Sequence, residues 1–391
     1  MQQSFSFNSV PVTVFAPDSS LNLSEYCQSF GIITPLIVTD QGIVDCGLLK
    51  AVLTKFEEQS TKVTLFQDVL ADPPEKNVLD ACALAKAEKC DGVIGFGGGS
   101  SMDVAKLVAV LLGSNDQEPS QALKGIYGVD MISTKRLPLI QVPTTSGTGS
   151  EATGVAIVTT GESTKAGVVS PVLLADQIVL DPSLTLGLPA HVTAATGIDA
   201  MVHAIEAYTS KRLKNPISDM NALKALELLS SSIETAVNDG SNLSARSDML
   251  LGAMLAGQAF ANAPVAAVHA LAYPLGGMFH IPHGLSNSLV LPHVIRFNAP
   301  NANHHYLEIA LVIDGIDKTK LNRDNVGEVM SSYFLDLANT LGLQTKLREM
   351  DISNEALPDL AKQAMDQQRL LINNPRDVSY DDALKIYQQA F

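Results

Sequence analysis

Residues 90–112 read CDGVIGFGGGSSMDVAKLVAVLL. Apolar residues in Val93–Phe96 predict a short buried strand, the glycines and serine at 97–100 a tight turn, and Met102–Leu112 a helix. Consecutive glycines let the backbone approach a diphosphate, and the amides that begin a helix favour phosphate oxygens. The loop matches neither the G-x-G-x-x-G fingerprint nor a Walker loop. We interpret the stretch as a nucleotide-binding strand–loop–helix unit; a purely structural tight connection would use the same residues.

Two further segments with polar side chains follow strand-like runs. LPLIQV is followed by residues 143–150, PTTSGTGS, whose hydroxyls can donate to phosphate or ribose oxygens, as they can in an ordinary polar turn. The run ITPLIVTD ends at Asp40. A carboxylate at the end of a strand accepts from both ribose hydroxyls and repels a 2′-phosphate, which favours NAD over NADP. Asp40 could equally cap the next helix.

The secondary-structure pattern changes once along the chain. Residues 1–187 alternate strand-like runs with helical stretches, which is the pattern of a mostly parallel sheet covered by helices. From Pro189 onward strand signals nearly vanish and helical runs such as 220–237 and 244–263 dominate. We therefore predict an α/β nucleotide-binding domain over residues 1–187 and an all-helical domain over residues 188–391.

The histidines are concentrated in the second predicted domain, where three of them join an aspartate in the spacing of a divalent-metal site. Asp199 and His203 are four residues apart in a predicted helix, so both side chains project from one face. His269 lies in a helical run, and His283 follows a predicted helix break at the glycines 276–277. Three imidazoles and one carboxylate suit Fe(II) or Zn(II). The alternative is that these histidines are hydrogen-bonded core residues.

The composition limits the classes of protein that remain. A chain of 391 residues is too long for one ordinary core and favours two domains. The formal net charge of -15, without a basic stripe, argues against nucleic acid or an anionic membrane as partner. The four cysteines show no C-x2-C pairing and the N-terminal residues lack a leader pattern, so we expect a cytoplasmic protein with reduced thiols.

The ordered set of motifs resembles the iron-containing (group III) alcohol dehydrogenase family. The motifs are GGGSSMDVAK at 97–106, PTTSGTGSEAT at 143–153, the Asp199–His203 pair, and HALAYPLGGMFHIPHG at 269–284. The resemblance extends over most of the chain and implies a nucleotide-binding α/β domain, an all-helical domain, and metal and substrate between them. It also implies a homodimer.

The same resemblance implies roles for individual residues. The implied metal ligands are Asp199, His203, His269 and His283. Asp40 matches the ribose-binding aspartate of NAD-preferring members. The residues implied to contact or frame the NAD cofactor are Gly97, Gly98, Gly99, Ser100, Asp103, Thr144, Thr145 and Ser150.

One position departs from the family pattern. Many members carry a histidine four residues after the third ligand, where this chain has Tyr273. A phenol there can position an alcohol but is a poor base, because its unperturbed pKa is about 10. His280 could handle the proton instead, or it could be a surface or supporting residue.

We therefore expect a metal-dependent oxidoreductase that interconverts a small primary alcohol and its aldehyde by hydride transfer to or from NAD. The partner is then a small alcohol or aldehyde. Dehydrogenases or reductases of a polyol, a hydroxyacid or a maleylacetate-like substrate are alternatives of the same architecture. A nucleotide-dependent lyase and a metal-bound non-catalytic dimer are alternatives from other classes.

Overall fold

The chain divides into two units in a computed structural model that describes residues 4–113, 118–161 and 164–391. The first unit comprises Asn8–Thr145 and Gly149–Leu186. The second comprises Gly187–Phe391, together with Ser146–Thr148 and residues 4–7.

Strands occur only in the first unit among the described residues. They are β1 (Val12–Phe15), β2 (Pro35–Val38), β3 (Thr64–Phe66), β4 (Gly92–Gly97), β5 (Gly128–Val129), β6 (Leu139–Pro143), β7 (Val155–Thr160), β8 (Thr164–Val169) and β9 (Gln177–Leu180). Six of them form a parallel sheet in the order β1-β9-β6-β4-β2-β3. The helices of this unit are α1 (Leu23–Ser29), α2 (Gln41–Asp45), α3 (Leu48–Glu58), α4 (Glu75–Ala87), α5 (Gly99–Gly113) and α6 (Pro119–Gly125).

The central strands of this sheet are apolar because both of their faces are covered. Every residue of β2, β4, β6 and β9 is buried, and Ile37, Ile94, Ile140 and Val179 from these four strands share one core. The predicted parallel α/β architecture is confirmed.

A second, smaller sheet was not predicted. Strands β7 and β8 form an antiparallel hairpin, and β5 pairs with β8 in parallel. Burial alternates along part of β7, which is the pattern of a strand with one covered face. Its partners give weaker signals, because β8 reads TKAGVV and β5 has only two residues, so the sequence does not indicate a separate sheet.

The second unit is helical throughout its described part, as predicted. Its α-helices are α7 (Ala190–Thr209), α8 (Pro216–Asn238), α9 (Leu243–Asn262), α10 (Ala267–Phe279), α11 (His283–Val312), α12 (Val326–Thr340), α13 (Leu357–Met365), α14 (Gln368–Leu371) and α15 (Tyr380–Ala390). Helix α7 is the centre of this unit, because it packs against α8, α9 and α11.

The predicted helix break at residues 276–277 is wrong. Helix α10 continues through both glycines and through Pro274, and it ends at His280, whose φ of 55° is left-handed. A glycine inside a helix costs only about 1 kcal/mol. Burial of Leu271 and Leu275 in the core of the second unit offsets that cost. The break therefore lies three to four residues later than the two glycines indicate.

Helices α7 and α11 approach closely at Gly284, in the first turn of α11. A Cβ atom at Gly284 would lie 2.8 Å from the carbonyl carbon of Ala195 and closer still to its oxygen, and 3.3 Å from the Cβ of Asp199. Backbone atoms of α7 cannot move aside as a flexible side chain can. Only glycine fits this crossing without a shift of one helix.

We predict that Gly284→Ala lowers the free energy of unfolding by roughly 1–3 kcal/mol, because overpacking forces the α7 and α11 backbones apart. Gly277→Ala is the matched control, since a Cβ at Gly277 meets no atom within 4 Å and alanine favours a helix. Denaturant unfolding followed by circular dichroism compares the two variants. Equal stability of Gly284→Ala and the wild type would contradict the close-approach argument.

Candidate metal centre and nucleotide-binding edge

Four side chains of the second unit converge on one point. Helix α7 contributes Asp199 and His203, α10 contributes His269 from its first turn, and α11 begins at His283. One nitrogen of each imidazole and one carboxylate oxygen all lie within 4.8 Å of one another. The structure thus brings together the four residues for which the sequence predicts metal binding, and this group could hold a metal ion.

The local sequence explains the convergence. The four-residue spacing of Asp199 and His203 aligns them on α7. The left-handed backbone at His280 ends α10 and lets the chain turn directly into α11, which begins at His283. The glycine at 284 then allows α11 to approach α7, so that His283 Nε2 lies 3.7 Å from Asp199 Oδ1.

Burial sets the protonation of this cluster. Desolvation lowers the pKa of His203 to about 3, so the imidazole is neutral, which is the form that binds metals. Burial alone would raise the pKa of Asp199, but the nearby imidazoles, with a hydrogen bond from Asn287, hold it below its ordinary value. At neutral pH, Asp199 therefore offers a carboxylate and His203 a neutral nitrogen donor.

The surroundings of His203 fit a bound metal ion. Its ring stacks on Phe260 with centroids 4.4 Å apart and on His269 at 4.7 Å. Its Nδ1 is buried without a hydrogen-bond partner in the described part of the chain. An orphaned polar atom in an apolar setting is costly, so it calls for a partner. Three nitrogens and one carboxylate suit a borderline divalent ion such as Fe(II) or Zn(II).

The sequence analysis missed two polar residues beside this cluster. Asn287 Nδ2 donates to Asp199 Oδ1 at 2.6 Å and lies 3.3–3.4 Å from Nε2 of His283 and His269. The Glu206 carboxylate oxygen Oε2 lies 2.6 Å from His269 Nδ1, within hydrogen-bond distance. Asn287 follows His283 by four residues and Glu206 follows His203 by three, so helical spacing from the ligands was the available signal.

The two residues predicted to act on substrate lie differently. The Tyr273 ring is 5.9 Å from the His283 ring and 6.4 Å from that of His269, centroid to centroid. His280 is exposed, and within the described ranges its ring contacts none of these three rings. The structure therefore brings Tyr273, but not the His280 ring, against the cluster.

In the first unit, the three predicted cofactor segments follow neighbouring strands. Asp40 comes soon after β2, residues 97–99 end β4 and begin α5, and Thr144 and Thr145 follow β6. Since β6, β4 and β2 are adjacent and parallel, these segments meet at one edge of the sheet. Ligands of open α/β sheets bind at this edge.

The glycine-rich loop is shorter than predicted. Helix α5 begins at Gly99 rather than at Met102, so Ser100 lies in its first turn. Gly97 has a φ of 149°, and a Cβ there would lie 2.8 Å from Ser101 Oγ. The backbone amides that begin this 15-residue helix are therefore close to the sheet edge, as a phosphate group requires.

Asp40 makes two contacts at this edge. Its Oδ1 caps α2 by accepting from the Ile43 amide at 3.1 Å, and its Oδ2 accepts from Ser101 Oγ at 3.4 Å. The capping alternative is thus observed. The second contact places the carboxylate beside the glycine-rich loop.

A buried ionic network holds the two loops together. Lys106 is fully buried and donates to Ser150 Oγ at 2.7 Å and Thr153 Oγ1 at 3.1 Å. Ser150 in turn donates to Asp103 Oδ1 at 2.6 Å. Burial lowers the pKa of Lys106, which Asp103 opposes. Asp103 and Ser150 are engaged with protein groups, so their geometry fits framing the loops better than contacting a ligand.

We also compared the helices with the length and apolarity that a membrane span needs. No single helix in the described ranges meets both requirements. Helices α9 and α10 meet them only as a pair, and they are bent by 106° at the break between them.

Comparison with known proteins gives concordant results over the whole chain. Residues 11–182 match the family model described as iron-containing alcohol dehydrogenase, and residues 193–391 match that of the Fe-containing alcohol dehydrogenase family, C-terminal. The chain is 41% identical to long-chain-alcohol dehydrogenase 1 of Geobacillus thermodenitrificans, over 91% of this chain and 89% of that protein.

Solved structures of iron-containing alcohol dehydrogenases and related enzymes match the fold of this chain. A 1,3-propanediol oxidoreductase has a TM-score of 0.94 and 33% identity, and the match covers 100% of both chains. The sulfoacetaldehyde reductase of Bifidobacterium kashiwanohense, in complex with NAD+, has a TM-score of 0.88 and 27% identity, covering 100% of this chain and 99% of that one. The motifs, the two-unit fold and these matches agree: the chain belongs to the iron-containing alcohol dehydrogenase family.

Proposed function

We propose that the protein interconverts a small primary alcohol and its aldehyde, with Fe(II) or Zn(II) bound by Asp199, His203, His269 and His283 and with NAD as the hydride carrier. The convergence of these four side chains within 4.8 Å carries the proposal. When bound, the metal would supply a Lewis acid for the substrate oxygen, and NAD would accept or donate the hydride.

The proposed NAD site is the edge formed after β2, β4 and β6. The amides that begin α5 and the close-packed glycines 97–99 favour a diphosphate there. Thr144 Oγ1 is buried without a hydrogen-bond partner in the described residues, so it has a hydroxyl to offer. The NAD+ complex of the sulfoacetaldehyde reductase supports the same cofactor for this chain.

We assign the substrate-facing role to Tyr273 and proton exchange to His280. The Tyr273 ring lies beside two proposed ligands, where its hydroxyl would orient an alcohol. His280 is exposed and has a left-handed backbone at the end of α10, three residues before the proposed ligand His283, where its imidazole would be open to solvent.

The substrate class follows from the chemistry near the ligands. Tyr273, Met278 and Phe279 are only partly buried, whereas Leu271 and Leu275, which the sequence also places near the ligands, are fully enclosed in the core. No lysine or arginine occurs between Lys165 and Lys211, so an anionic substrate has few partners in this stretch. These features favour a neutral alcohol over a hydroxyacid.

A polyol remains the second candidate, favoured by the similarity to 1,3-propanediol oxidoreductase. The family match argues against a lyase.

The direct test is anaerobic NAD reduction with the alcohols from ethanol to hexanol, on protein stripped with a chelator and reloaded with Fe(II) or Zn(II). We expect one metal to restore turnover. We expect His203→Ala to abolish both metal retention and turnover while the circular dichroism spectrum is unchanged, because the variant lacks one ligand.

His191→Ala is the matched control, since His191 is an exposed histidine on the same helix. It should retain metal and activity. An active, metal-loaded His203→Ala protein would refute the ligand assignment. Activity with diols alone would move the substrate to the polyol class.

We expect the carboxylate of Asp40 to make the enzyme prefer NAD over NADP. Two charges about 4 Å apart interact by roughly 1–4 kcal/mol near a protein surface. Asp40→Asn preserves a capping side chain but removes the charge. We expect the ratio of kcat/KM for NADP to that for NAD to rise about fivefold or more.

Asp45→Asn serves as the control, because Asp45 is an exposed carboxylate on the same short helix. It should leave the ratio unchanged. If Asp40→Asn also leaves it unchanged, Asp40 acts only as a helix cap.

We further propose a cytoplasmic homodimer. All four cysteines carry free thiols, in keeping with a reducing compartment. Strand β1 is an edge of the large sheet, and its Val12 and Phe15 side chains are 40% and 42% exposed. An exposed apolar edge strand is a template for pairing with another chain. A second copy of the protein would cover it.

Sedimentation should therefore show a dimer that Phe15→Lys converts to monomer. Ile33→Lys is the control, because Ile33 is an exposed apolar residue outside β1. A dimer that survives Phe15→Lys would show that β1 is not the interface.

A further inference from the structure

We propose that Glu206 is a positioning residue of the metal centre: its buried carboxylate fixes His269 in the tautomer that presents Nε2 to the metal. The inference rests on the ligand assignment proposed above. It adds a residue that touches neither metal nor substrate and acts through His269.

Glu206 lies on the same face of α7 as the two ligands of that helix. Asp199, His203 and Glu206 stand at positions i, i+4 and i+7, which align along two turns. Glu206 is only 3% exposed. A single helix face thus carries two ligands and, one turn further on, the carboxylate that contacts a third.

Both carboxylate oxygens of Glu206 are directed at the first turn of α10. Oε1 accepts from the Val268 amide at 2.6 Å, and Oε2 lies 2.6 Å from His269 Nδ1. The two adjacent partners fix the carboxylate in one orientation. The contact with Oε2 in turn holds the His269 ring.

This geometry selects a tautomer. An ionised carboxylate only accepts hydrogen bonds, so Nδ1 of His269 must carry the hydrogen. The lone pair of a neutral ring is then on Nε2. Nε2 is also the nitrogen on the side of the cluster, 3.4 Å from Asn287 Nδ2, which in turn donates to Asp199. Ligating histidines commonly donate their other ring N–H to a carboxylate in this way.

The charges in the cluster support a role in affinity. Asp199 and Glu206 are both buried, and no lysine or arginine forms an ion pair with either of them in the described ranges. Two buried carboxylates without a cationic partner are costly, and a divalent cation between the ligands would offset that cost. Removing the charge of Glu206 should therefore weaken metal binding as well as loosen His269.

Glu206 also has a structural role, because its contact with Val268 satisfies an amide at the start of α10. The test must separate this role from the proposed one. Loss of a cap lowers the stability of the metal-free protein. It does not by itself alter the tautomer of His269 or the affinity of a folded molecule for metal.

The experiment compares Glu206→Gln with the wild type by chelator competition for Zn(II), in buffer in which both metal-free proteins are folded. We expect the Zn(II) dissociation constant to rise about 10–100-fold, the usual effect of losing an outer partner of a ligand. Glu308→Gln is the matched control, since Glu308 accepts a hydrogen bond from Tyr208 in the same unit and contacts none of the four ligands. Its Zn(II) affinity should match that of the wild type.

A second measurement does not depend on any Glu206 variant. Nitrogen-15 NMR of the histidine-labelled, metal-free wild type should show His269 as the Nδ1–H tautomer, with the signal assigned by its loss in His269→Gln. An Nε2–H tautomer would overturn the inference.

The outcomes separate the two proposals. A wild type that binds no Zn(II) or Fe(II) overturns the ligand assignment and, with it, the role of Glu206. Tight binding by the wild type and equally tight binding by Glu206→Gln overturn only the role of Glu206 and leave the proposed function standing.

Discussion

Helix α7 must carry polar and charged side chains through the centre of an apolar helical unit, and the rest of that unit is arranged around this constraint. Asp199, His203 and Glu206 are each at most 5% exposed. Buried groups of this kind are tolerated only when they are hydrogen-bonded, paired or bound to a metal. Helices α10 and α11 supply the partners, through the Val268 amide, two further imidazoles and the Asn287 amide.

The need to provide partners for the buried polar groups of α7 explains several local features of the backbone. A glycine at 284 is needed because α11 must approach the α7 backbone closely enough for His283 to reach Asp199. A non-glycine residue, His280, adopts a left-handed backbone because α10 must end abruptly before α11 begins. In the first unit, the fully buried Lys106 has a comparable role, since its hydrogen bonds to Ser150 and Thr153 join α5 to the hydroxyl-rich loop.

Where the prediction from sequence was wrong, tertiary packing outweighed a local preference. The glycines at 276–277 indicate a helix break, but burial of Leu271 and Leu275 keeps α10 helical through them. The small sheet of β5, β7 and β8 was missed because β5 has only two residues and β8, TKAGVV, lacks a continuous apolar run.

Features that depend on local spacing could be predicted from the amino-acid sequence alone. They are the parallel α/β unit followed by helices, the loops after β4 and β6, and the spacing of Asp199 and His203 by four residues. Each of them depends on periodicity or glycine content within one element. Contacts between groups that are distant in the sequence could be seen only in the folded protein. The contact of Glu206 with His269 and that of Asn287 with Asp199 join residues 63 and 88 positions apart. No local pattern encodes such a contact, because it depends on how the helices pack.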